Sequence, residues 1–226
     1  MATLTLSEVK AKSAARLSGL LPVVKAAAEA LIERSYKRGV PIVITQGLRT
    51  YAEQDALYAQ GRTKAGSIVT NARAGYSYHN FGVAIDFSLL SEDGRSVYWD
   101  TKRDADKDGI ADWNEVVAEA KALGFAWGGD WTSFKDYPHF EMTFGLSTAQ
   151  LRANIRPTAA QTSAVLAKVN AIMKEEPELK VEDANAIITF LKAEWAAANA
   201  KKDEPRKKEA NRLANVLRVA SGQETQ

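Results

Sequence analysis

The run SYHNFGVAID, residues 77–86, decides the fold of this chain together with the distant run DYPH, residues 136–139. The chain has only two histidines, His79 and His139, and each run contains one of them. This concentration indicates that the two runs converge on one site in the folded protein.

The first run continues into a pattern typical of a β-strand. Over residues 81–87 the apolar side chains alternate with Gly82, Ala84 and Asp86, so these three share one face. A carboxylate on a face otherwise lined by glycine and alanine leaves room beside it for a metal ion and a substrate backbone. Residues 139–142 alternate in the same way, so we expect a second strand to carry the second histidine.

His79, Asp86 and His139 form a three-ligand set typical of catalytic Zn²⁺, which keeps a fourth position for water. Asp136, three residues before the second histidine, is then free to act as the general base on that water. The alternative is that both histidines are ordinary residues and that Asp86 is a turn acid. Because each histidine lies near a carboxylate on a pattern-breaking strand face, the metal site is the favoured interpretation.

The spacing S-x-H-x-x-G-x-A-x-D followed by D-x-x-H resembles the signature of the LAS-type zinc peptidases, which cut peptidoglycan stem peptides. Within that group the chain looks most like the L-alanyl-D-glutamate peptidases of bacteriophage endolysins, since related D-alanyl-D-alanine enzymes usually have E-x-x-H. The runs QGLRT at 46–50, EQDALYAQGRT at 53–63 and WGGDW at 127–131 are also similar. The resemblance implies a zinc endopeptidase that cleaves the L-alanyl-D-glutamate bond.

The same resemblance implies roles for three further residues. Arg49 would face the scissile carbonyl or a substrate carboxylate and stabilise the oxyanion, whereas Gln54 and Ser77 would bind substrate. Without the metal motif, a surface salt bridge would be the simpler interpretation of Arg49. Two alternatives stay open: a D-alanyl-D-alanine carboxypeptidase, and a zinc- and calcium-binding module that has lost hydrolysis. Retention of both Asp136 and Arg49 argues against the module.

Residues 104–115, DADKDGIADWNE, match the twelve-residue calcium loop of EF-hands. The predicted Ca²⁺ ligands are five carboxylates and one backbone carbonyl, from Asp104, Asp106, Asp108, Ile110, Asp112 and Glu115. Residues 98–103 favour strand and coil, so the motif is half an EF-hand, and a solvated acidic loop is the alternative. Some phage peptidases of the resembled type carry a similar loop. That likeness motivates the hypothesis that Ca²⁺ orders the adjoining cleft wall and switches activity on.

The composition limits the possible partners. The 226 residues have a net charge of +2, which does not favour nucleic acid or a membrane surface, and no apolar run reaches the length of a transmembrane helix. The chain lacks cysteine, which fits synthesis in a reducing cytoplasm. Residues 1–5 do not begin a signal peptide, so we expect production in a host bacterial cytoplasm, action on the cell wall, and export through a holin-type partner.

Periodicity predicts an α+β catalytic domain, residues 1–145, in which helices flank a small antiparallel sheet. Predicted helices span 6–38, about 50–60 and about 112–123. Predicted strands span 41–45, 67–71, 81–87 and 96–99.

From residue 146 onward, alanine becomes abundant and strand signals end. Helical runs are predicted at about 158–174, 181–200 and 205–220, with proline at or near their starts. Residues 146–226 are therefore predicted to form an all-α helical bundle. We interpret it as a cell-wall-binding or oligomerisation module, with a stabilising cap as the alternative.

Overall fold

The computed structural model describes residues 4–105, 107–174 and 181–220. It divides the chain into two compact units, Met1–Met173 and Lys174–Gln226. The first unit contains the sheet and both sequence runs with histidine, and the second contains a pair of helices.

The first unit begins with two helices, α1 (Leu6–Ser13) and α2 (Pro22–Lys37). The prediction of one continuous helix over 6–38 was wrong. Gly19 adopts a left-handed conformation with φ +78°, which interrupts helical geometry between the two. Pro22 then opens α2 at its first position, where the missing N–H costs no hydrogen bond.

In the described part of the chain, five strands form one antiparallel sheet with the order β1-β2-β5-β4, and β3 pairs with β2. The strands are β1 (Ile42–Gln46), β2 (Ala84–Leu90), β3 (Val97–Tyr98), β4 (Ala126–Trp127) and β5 (His139–Glu141). This sheet confirms the predicted α+β class. It also places Asp86 of β2 directly opposite His139 of β5.

The helices that follow in the chain are α3 (Tyr51–Ala59), α4 (Asp112–Leu123), α5 (Thr148–Arg152) and α6 (Ala159–Lys174). Short 3₁₀ turns span Tyr78–Phe81 and Gly128–Asp130. Thr50 begins α3 with a capping box: its hydroxyl accepts from Glu53 N, and the Glu53 carboxylate accepts from Thr50 N at 2.7 Å. The predicted helices at 50–60 and 112–123 are confirmed.

Residues 67–71, predicted as a strand, form no strand in the described ranges. Side chains use the polar backbone groups of this segment and its neighbours instead. Arg62 Nη1 donates to the Thr70 carbonyl at 2.9 Å, and Gln54 Nε2 donates to the Ala72 carbonyl at 2.8 Å. The side chains of Gln54 in α3 and of Arg62, just after α3, hold this segment as a loop that lines a cleft.

The core of the first unit holds β2 and β5 together. The rings of Phe87 and Phe140 stack with centroids 5.0 Å apart, and Trp113 of α4 lies 4.4 Å from Phe87. None of the three is more than 1% exposed. Burial of one such side chain stabilises the fold by about 1.5–3 kcal/mol. The two strands that carry Asp86 and His139 are therefore fixed by the best-buried aromatic cluster of the protein.

The first unit extends beyond the predicted domain boundary at 145. Val169 of α6 is 3% exposed in the core, and Arg34 Nη1 donates to the Ile172 carbonyl at 3.2 Å. Tyr78 Oη, next to His79, donates to the Leu146 carbonyl at 3.1 Å. The chain therefore divides into its compact units at 173/174, because α6 packs on the sheet domain.

The second unit contains α7 (Val181–Ala200) and α8 (Glu204–Ala220), which pack on each other through Ala184, Ile188 and Ala214. The helical runs predicted at 181–200 and 205–220 are confirmed. Among the described residues, no helix has both the length and the apolar character needed to cross a membrane.

Candidate metal centre

His79 lies in a turn instead of immediately before a strand. Tyr78–Phe81 form a 3₁₀ turn that ends at Gly82, whose φ is +66°. A Cβ on Gly82 would lie 2.5 Å from the Gly19 carbonyl oxygen, so only glycine fits this turn. The strand predicted from residue 81 accordingly starts three residues later, at Ala84.

The three predicted ligands converge. His79 Nε2 lies 3.2 Å from Asp86 Oδ1 and 3.1 Å from His139 Nδ1, and His139 Nδ1 lies 3.2 Å from Asp86 Oδ1. A tetrahedral Zn²⁺ with ligands at about 2.0–2.1 Å separates its ligand atoms by roughly 3.3 Å. The triangle of donor atoms therefore fits a zinc ion. Among residues 4–105, 107–174 and 181–220, these three side chains are the group of acids and histidines whose ligand atoms lie close enough together to hold a metal ion.

Each imidazole is oriented through the nitrogen that faces away from the centre. His79 Nδ1 donates to the Gly47 carbonyl at 2.9 Å, which leaves the Nε2 lone pair pointing inward. His139 Nε2 donates to Glu141 Oε2 at 3.0 Å, which leaves the Nδ1 lone pair inward. Such partners fix the tautomer and increase ligand basicity.

Glu141 was missed from the sequence, although the signal was present. It stands two residues after His139 on β5, so both side chains project from the same face of the strand. An acid at that position can reach the outer nitrogen of the ring.

The charges at the centre stabilise one another. Burial would raise the pKa of the Asp86 carboxyl, but His79 and His139 hold it well below its ordinary value. Burial likewise works against a charged His139, yet hydrogen bonds to Asp86 and Glu141 raise the pKa of this histidine to about 9. Without a metal, His139 is therefore a cation at neutral pH, and a metal ion must displace its proton.

Asp136 lines the same cleft as the triangle. Burial and the neighbouring charge of Asp86 raise the pKa of its carboxyl. Its backbone is fixed on both sides, since Asp136 N donates to the Gly128 carbonyl at 3.1 Å and His139 N donates to the Asp136 carbonyl at 3.2 Å. A partly buried acid with a raised pKa beside the candidate metal centre suits a role in proton transfer.

Arg49 presents its guanidinium to the cleft from the connection between β1 and α3. Its Nη2 lies 3.5 Å from Asp86 Oδ2, and its side chain is 12% exposed. Its backbone is tied to the metal-site turn, since Arg49 N donates to the His79 carbonyl at 3.0 Å and Asn80 Nδ2 donates to the Arg49 carbonyl at 2.8 Å. The backbone of Arg49 is therefore held beside the candidate centre, and its guanidinium reaches the cleft from there.

The two predicted substrate-binding residues differ in their positions. Ser77 lines the cleft, and its contact with substrate stays a prediction. Gln54 is 0% exposed, and its amide is bonded to Arg49 and to the Ala72 carbonyl. Gln54 therefore does not line the cleft in this structure, and its amide contacts groups that do.

The cleft itself has a volume of about 650 Å³. The candidate metal ligands line the cleft together with aromatic side chains from separate segments, among them Tyr76, Trp99, Trp131 and Phe134. Three of these are exposed: Tyr76 by 57%, Trp99 by 51% and Phe134 by 54%. A cleft of this size is in the range of ligand-binding sites in proteins.

None of the described residues of the predicted calcium loop lines the cleft. Gly109 has the positive φ, +90°, that a sharp turn at loop position 6 requires, and α4 begins at Asp112 as predicted. Asp106, the second predicted ligand, lies outside the described residues.

Carboxylates of this loop accept hydrogen bonds from protein groups. Asp104 Oδ2 accepts from Gly109 N at 3.1 Å, and Asp108 Oδ1 accepts from Ile110 N at 2.7 Å. Asp112 Oδ1 accepts from Ala105 N at 2.9 Å.

Glu115, the twelfth residue of the loop, has its Oε1 at 3.3 Å from Arg38 Nη1 of the segment that follows α2. This pair connects the end of the loop to a neighbouring element. The described part of the loop is therefore held by its own hydrogen bonds and by the ion pair with Arg38 at the end of α2.

Known proteins resemble this chain over the region just described. A model of the family described as D-alanyl-D-alanine carboxypeptidase matches residues 70–142. The peptidoglycan L-alanyl-D-glutamate endopeptidase CwlK of Bacillus subtilis (strain 168) is 57% identical over 125 residues, which are 55% of this chain and 74% of that protein. The L-alanyl-D-glutamate peptidase of Listeria phage A118 is 34% identical over 133 residues, which are 59% of this chain and 41% of that protein.

Among solved structures, the L-Ala D-Glu endopeptidase ChiX of Serratia marcescens is 23% identical, with a TM-score of 0.44 over 60% of this chain and 89% of that chain. The residues that match the family model include all three candidate metal ligands and Asp136.

Proposed function

Because the chain belongs to the D-alanyl-D-alanine carboxypeptidase family of zinc peptidases, we propose that it is an endopeptidase that hydrolyses the L-alanyl-D-glutamate bond of peptidoglycan stem peptides. The observation that carries the proposal is the convergence of His79, Asp86 and His139 in a cleft that also contains Asp136 and Arg49. Two relatives named for this bond, one bacterial and one from a phage, support the choice of substrate.

In the proposed mechanism, His79, Asp86 and His139 would hold Zn²⁺, which would supply the Lewis-acid chemistry needed to activate water and polarise the scissile carbonyl. Asp136 accepts the proton of the attacking water and returns it to the amine of the departing D-glutamate. The raised pKa of Asp136 fits a group that must both take and give a proton. Arg49 donates hydrogen bonds to the carbonyl oxygen as negative charge develops on it.

A D-alanyl-D-alanine carboxypeptidase is the second candidate, and the description of the matching family favours it. Both enzymes would use the same metal centre, and they differ in which substrate carboxylate is bound. The D-x-x-H spacing at 136–139 supports the endopeptidase, since the resembled carboxypeptidases usually have E-x-x-H.

The discriminating experiment is mass spectrometry of muropeptides after digestion of purified peptidoglycan. The endopeptidase leaves muramic acid with L-alanine alone and releases peptides that begin with D-glutamate. Loss of only the terminal D-alanine would identify the carboxypeptidase. Unchanged muropeptides with intact zinc binding would identify a binding module. The zinc-loaded Asp136→Asn variant is the matched control for contaminating hydrolases.

We further propose that Ca²⁺ binds residues 104–115 and orders the cleft wall. The support is the complete ligand pattern in the sequence and the left-handed Gly109 at the turn. Titration of Ca²⁺ into metal-stripped, zinc-restored enzyme tests this proposal. An unchanged rate would remove calcium as a switch.

The role of the second unit is also a proposal: residues 174–226 bind the cell wall or promote self-association. Deletion of 174–226 should leave hydrolysis of soluble muropeptides intact and weaken binding to insoluble wall. Deletion of 146–226 should instead unfold the first unit, because it removes Val169 from the core and the Leu146 carbonyl from Tyr78. Equal behaviour of the two truncations would contradict the division at 173/174.

The biological setting that we propose is lysis of a bacterial host at the end of a phage cycle, with a holin-type protein giving access to the wall. The similarity to a phage peptidase supports this setting. Expression in bacteria with and without a holin tests it, since lysis should require both proteins.

A further inference from the structure

Helix α3 is attached to the rest of the protein in an unusual way. Among its residues Tyr51–Ala59, the one buried side chain is that of Gln54, which is 0% exposed. A buried amide is costly unless both of its ends form hydrogen bonds, and an apolar side chain would anchor a helix without that cost. This choice indicates that the amide performs a task that an apolar side chain could not.

The two ends of the amide contact two different parts of the cleft. Oε1 accepts a hydrogen bond from Arg49 Nη1 at 3.0 Å. Nε2 donates to the Ala72 carbonyl at 2.8 Å and lies 3.5 Å from Thr70 Oγ1. Because Arg49, Thr70 and Ala72 all line the cleft, Gln54 fixes the guanidinium relative to the loop wall.

The chemistry of this bridge is directional. A guanidinium only donates hydrogen bonds and a carbonyl only accepts them, so the group between Arg49 and Ala72 must offer an acceptor on one side and a donor on the other. Glutamine offers both. Glutamate keeps the acceptor for Arg49 and loses the donor for Ala72, and methionine loses both.

Arg49 has a competing partner. Its Nη2 lies 3.5 Å from Asp86 Oδ2, while Asp86 Oδ1 faces His79 and His139 at 3.2 Å. A guanidinium released from Gln54 could rotate into a two-pronged pair with this carboxylate. Such a pair would take Asp86 away from the metal and the guanidinium away from the substrate.

We propose that Gln54 is a positioning residue that holds the Arg49 guanidinium toward the scissile carbonyl and away from Asp86. The inference deepens the proposed function, because it assumes that Arg49 acts on the substrate. It replaces the direct substrate contact predicted for Gln54 with an action through Arg49.

The test is a double-mutant cycle in the full-length, zinc-loaded protein with Gln54→Met, Arg49→Met and the double variant. For each, kcat and KM on soluble muropeptides and the zinc dissociation constant are measured. Gln54→Met should lower kcat and zinc affinity by about 10- to 100-fold each with little change in KM. In the Arg49→Met background, Gln54→Met should alter kcat and zinc affinity by less than about twofold each.

Two further variants separate positioning from general packing. Gln54→Glu, which keeps the acceptor for Arg49, should retain more kcat than Gln54→Met. Ala56→Met places the same side chain at an exposed position of α3 and should behave as the wild type. The melting temperature of each variant identifies loss of folding, and if Gln54→Met does not fold, Gln54→Glu with and without Arg49→Met completes the cycle.

Additive losses in the two backgrounds would overturn the proposal, because they would mean that Gln54 acts on the fold and not through Arg49. Failure of the proposed function is distinguishable. A wild type that releases no peptides beginning with D-glutamate would remove that function, whereas the zinc-affinity arm of the cycle would still decide the contact between Gln54 and Arg49.

Discussion

The triangle of His79, Asp86 and His139 and the loop at 104–115 are both metal-type motifs, and they differ in how their ligands are brought together. The loop has the more complete pattern in sequence, with its ligands inside twelve residues. In the described structure its carboxylates accept hydrogen bonds from the loop itself. The triangle draws on a 3₁₀ turn and two strands, yet its donor atoms lie 3.1–3.2 Å apart.

The difference has a physical origin. Sheet pairing sets Asp86 opposite His139, and a buried aromatic cluster fixes both strands. Packing of the fold therefore holds the members of the triangle together. A single loop has no such support, and in the structure the carboxylates of Asp104, Asp108 and Asp112 accept hydrogen bonds from nearby N–H groups. The zinc centre should therefore be preformed, whereas the calcium loop should be organised by its ion.

The largest expected effect comes from breaking the triangle. His79→Ala should abolish zinc binding and lower turnover by roughly a thousandfold or more, because two ligands cannot hold the ion for catalysis. Zinc content by metal analysis and turnover on muropeptides check this expectation. A variant that kept stoichiometric zinc and normal turnover would place the metal elsewhere.

Asp136→Asn should separate metal binding from chemistry. The amide cannot accept the proton of the attacking water, so turnover should fall by about 10²- to 10⁴-fold while zinc stays bound. Near-normal turnover in this variant would leave the mechanism without its base. Asp136→Glu, which keeps a carboxylate, serves as the control for side-chain chemistry.

The metal-free protein should lose stability as pH rises. The folded pKa of His139, about 9, lies above the ordinary histidine value, so its contribution is complete below about pH 6.5 and is lost as pH rises through 9. The free energy of unfolding should fall by at most about 3.5 kcal/mol over that window.

Urea unfolding with chelator at several pH values measures this loss. In the zinc-loaded protein His139 is neutral over the whole window, so the free energy of unfolding should depend less on pH. In the His139→Gln variant this pH dependence should be absent. Stability of the metal-free wild type that rises over the same window would contradict the ion pair between His139 and its acidic neighbours.

Glu141→Gln should have a moderate effect on metal binding. It removes the charge that orients the outer nitrogen of His139, so zinc affinity should fall by about 10- to 100-fold. Turnover at saturating zinc should remain close to the wild type. Competition with a chromogenic chelator measures the affinity, and unchanged affinity would show that the ring is held by packing alone.

The smallest effect is expected at the calcium loop. Ca²⁺ should raise the melting temperature of zinc-loaded protein by a few degrees, since binding to the native state alone stabilises it. Glu115→Gln should weaken that response without loss of zinc. Equal thermal shifts for Ca²⁺ and Mg²⁺ in both proteins would favour a solvated acidic loop.

Much of the site followed from local pattern, and the errors share one cause. The strand face of Asp86 and the capping of α3 at Thr50 depend on residue spacing, which a sequence displays directly. The break at 14–21 and the loss of the strand at 67–71 depend on distant contacts, such as the Gly82 carbonyl accepting from Leu21 N and Arg62 donating to Thr70. Periodicity carries no information about such partners.

By itself, the sequence determined the α+β class and the family, and it predicted the candidate metal ligands, because two histidines in fixed spacing with acids leave few chemical alternatives. Only the tertiary structure decided that Glu141 orients His139, that Gln54 is buried against Arg49, and that the first unit ends at 173. Those facts arise from side chains meeting across elements, where distance and burial, and not position along the chain, set which groups form hydrogen bonds.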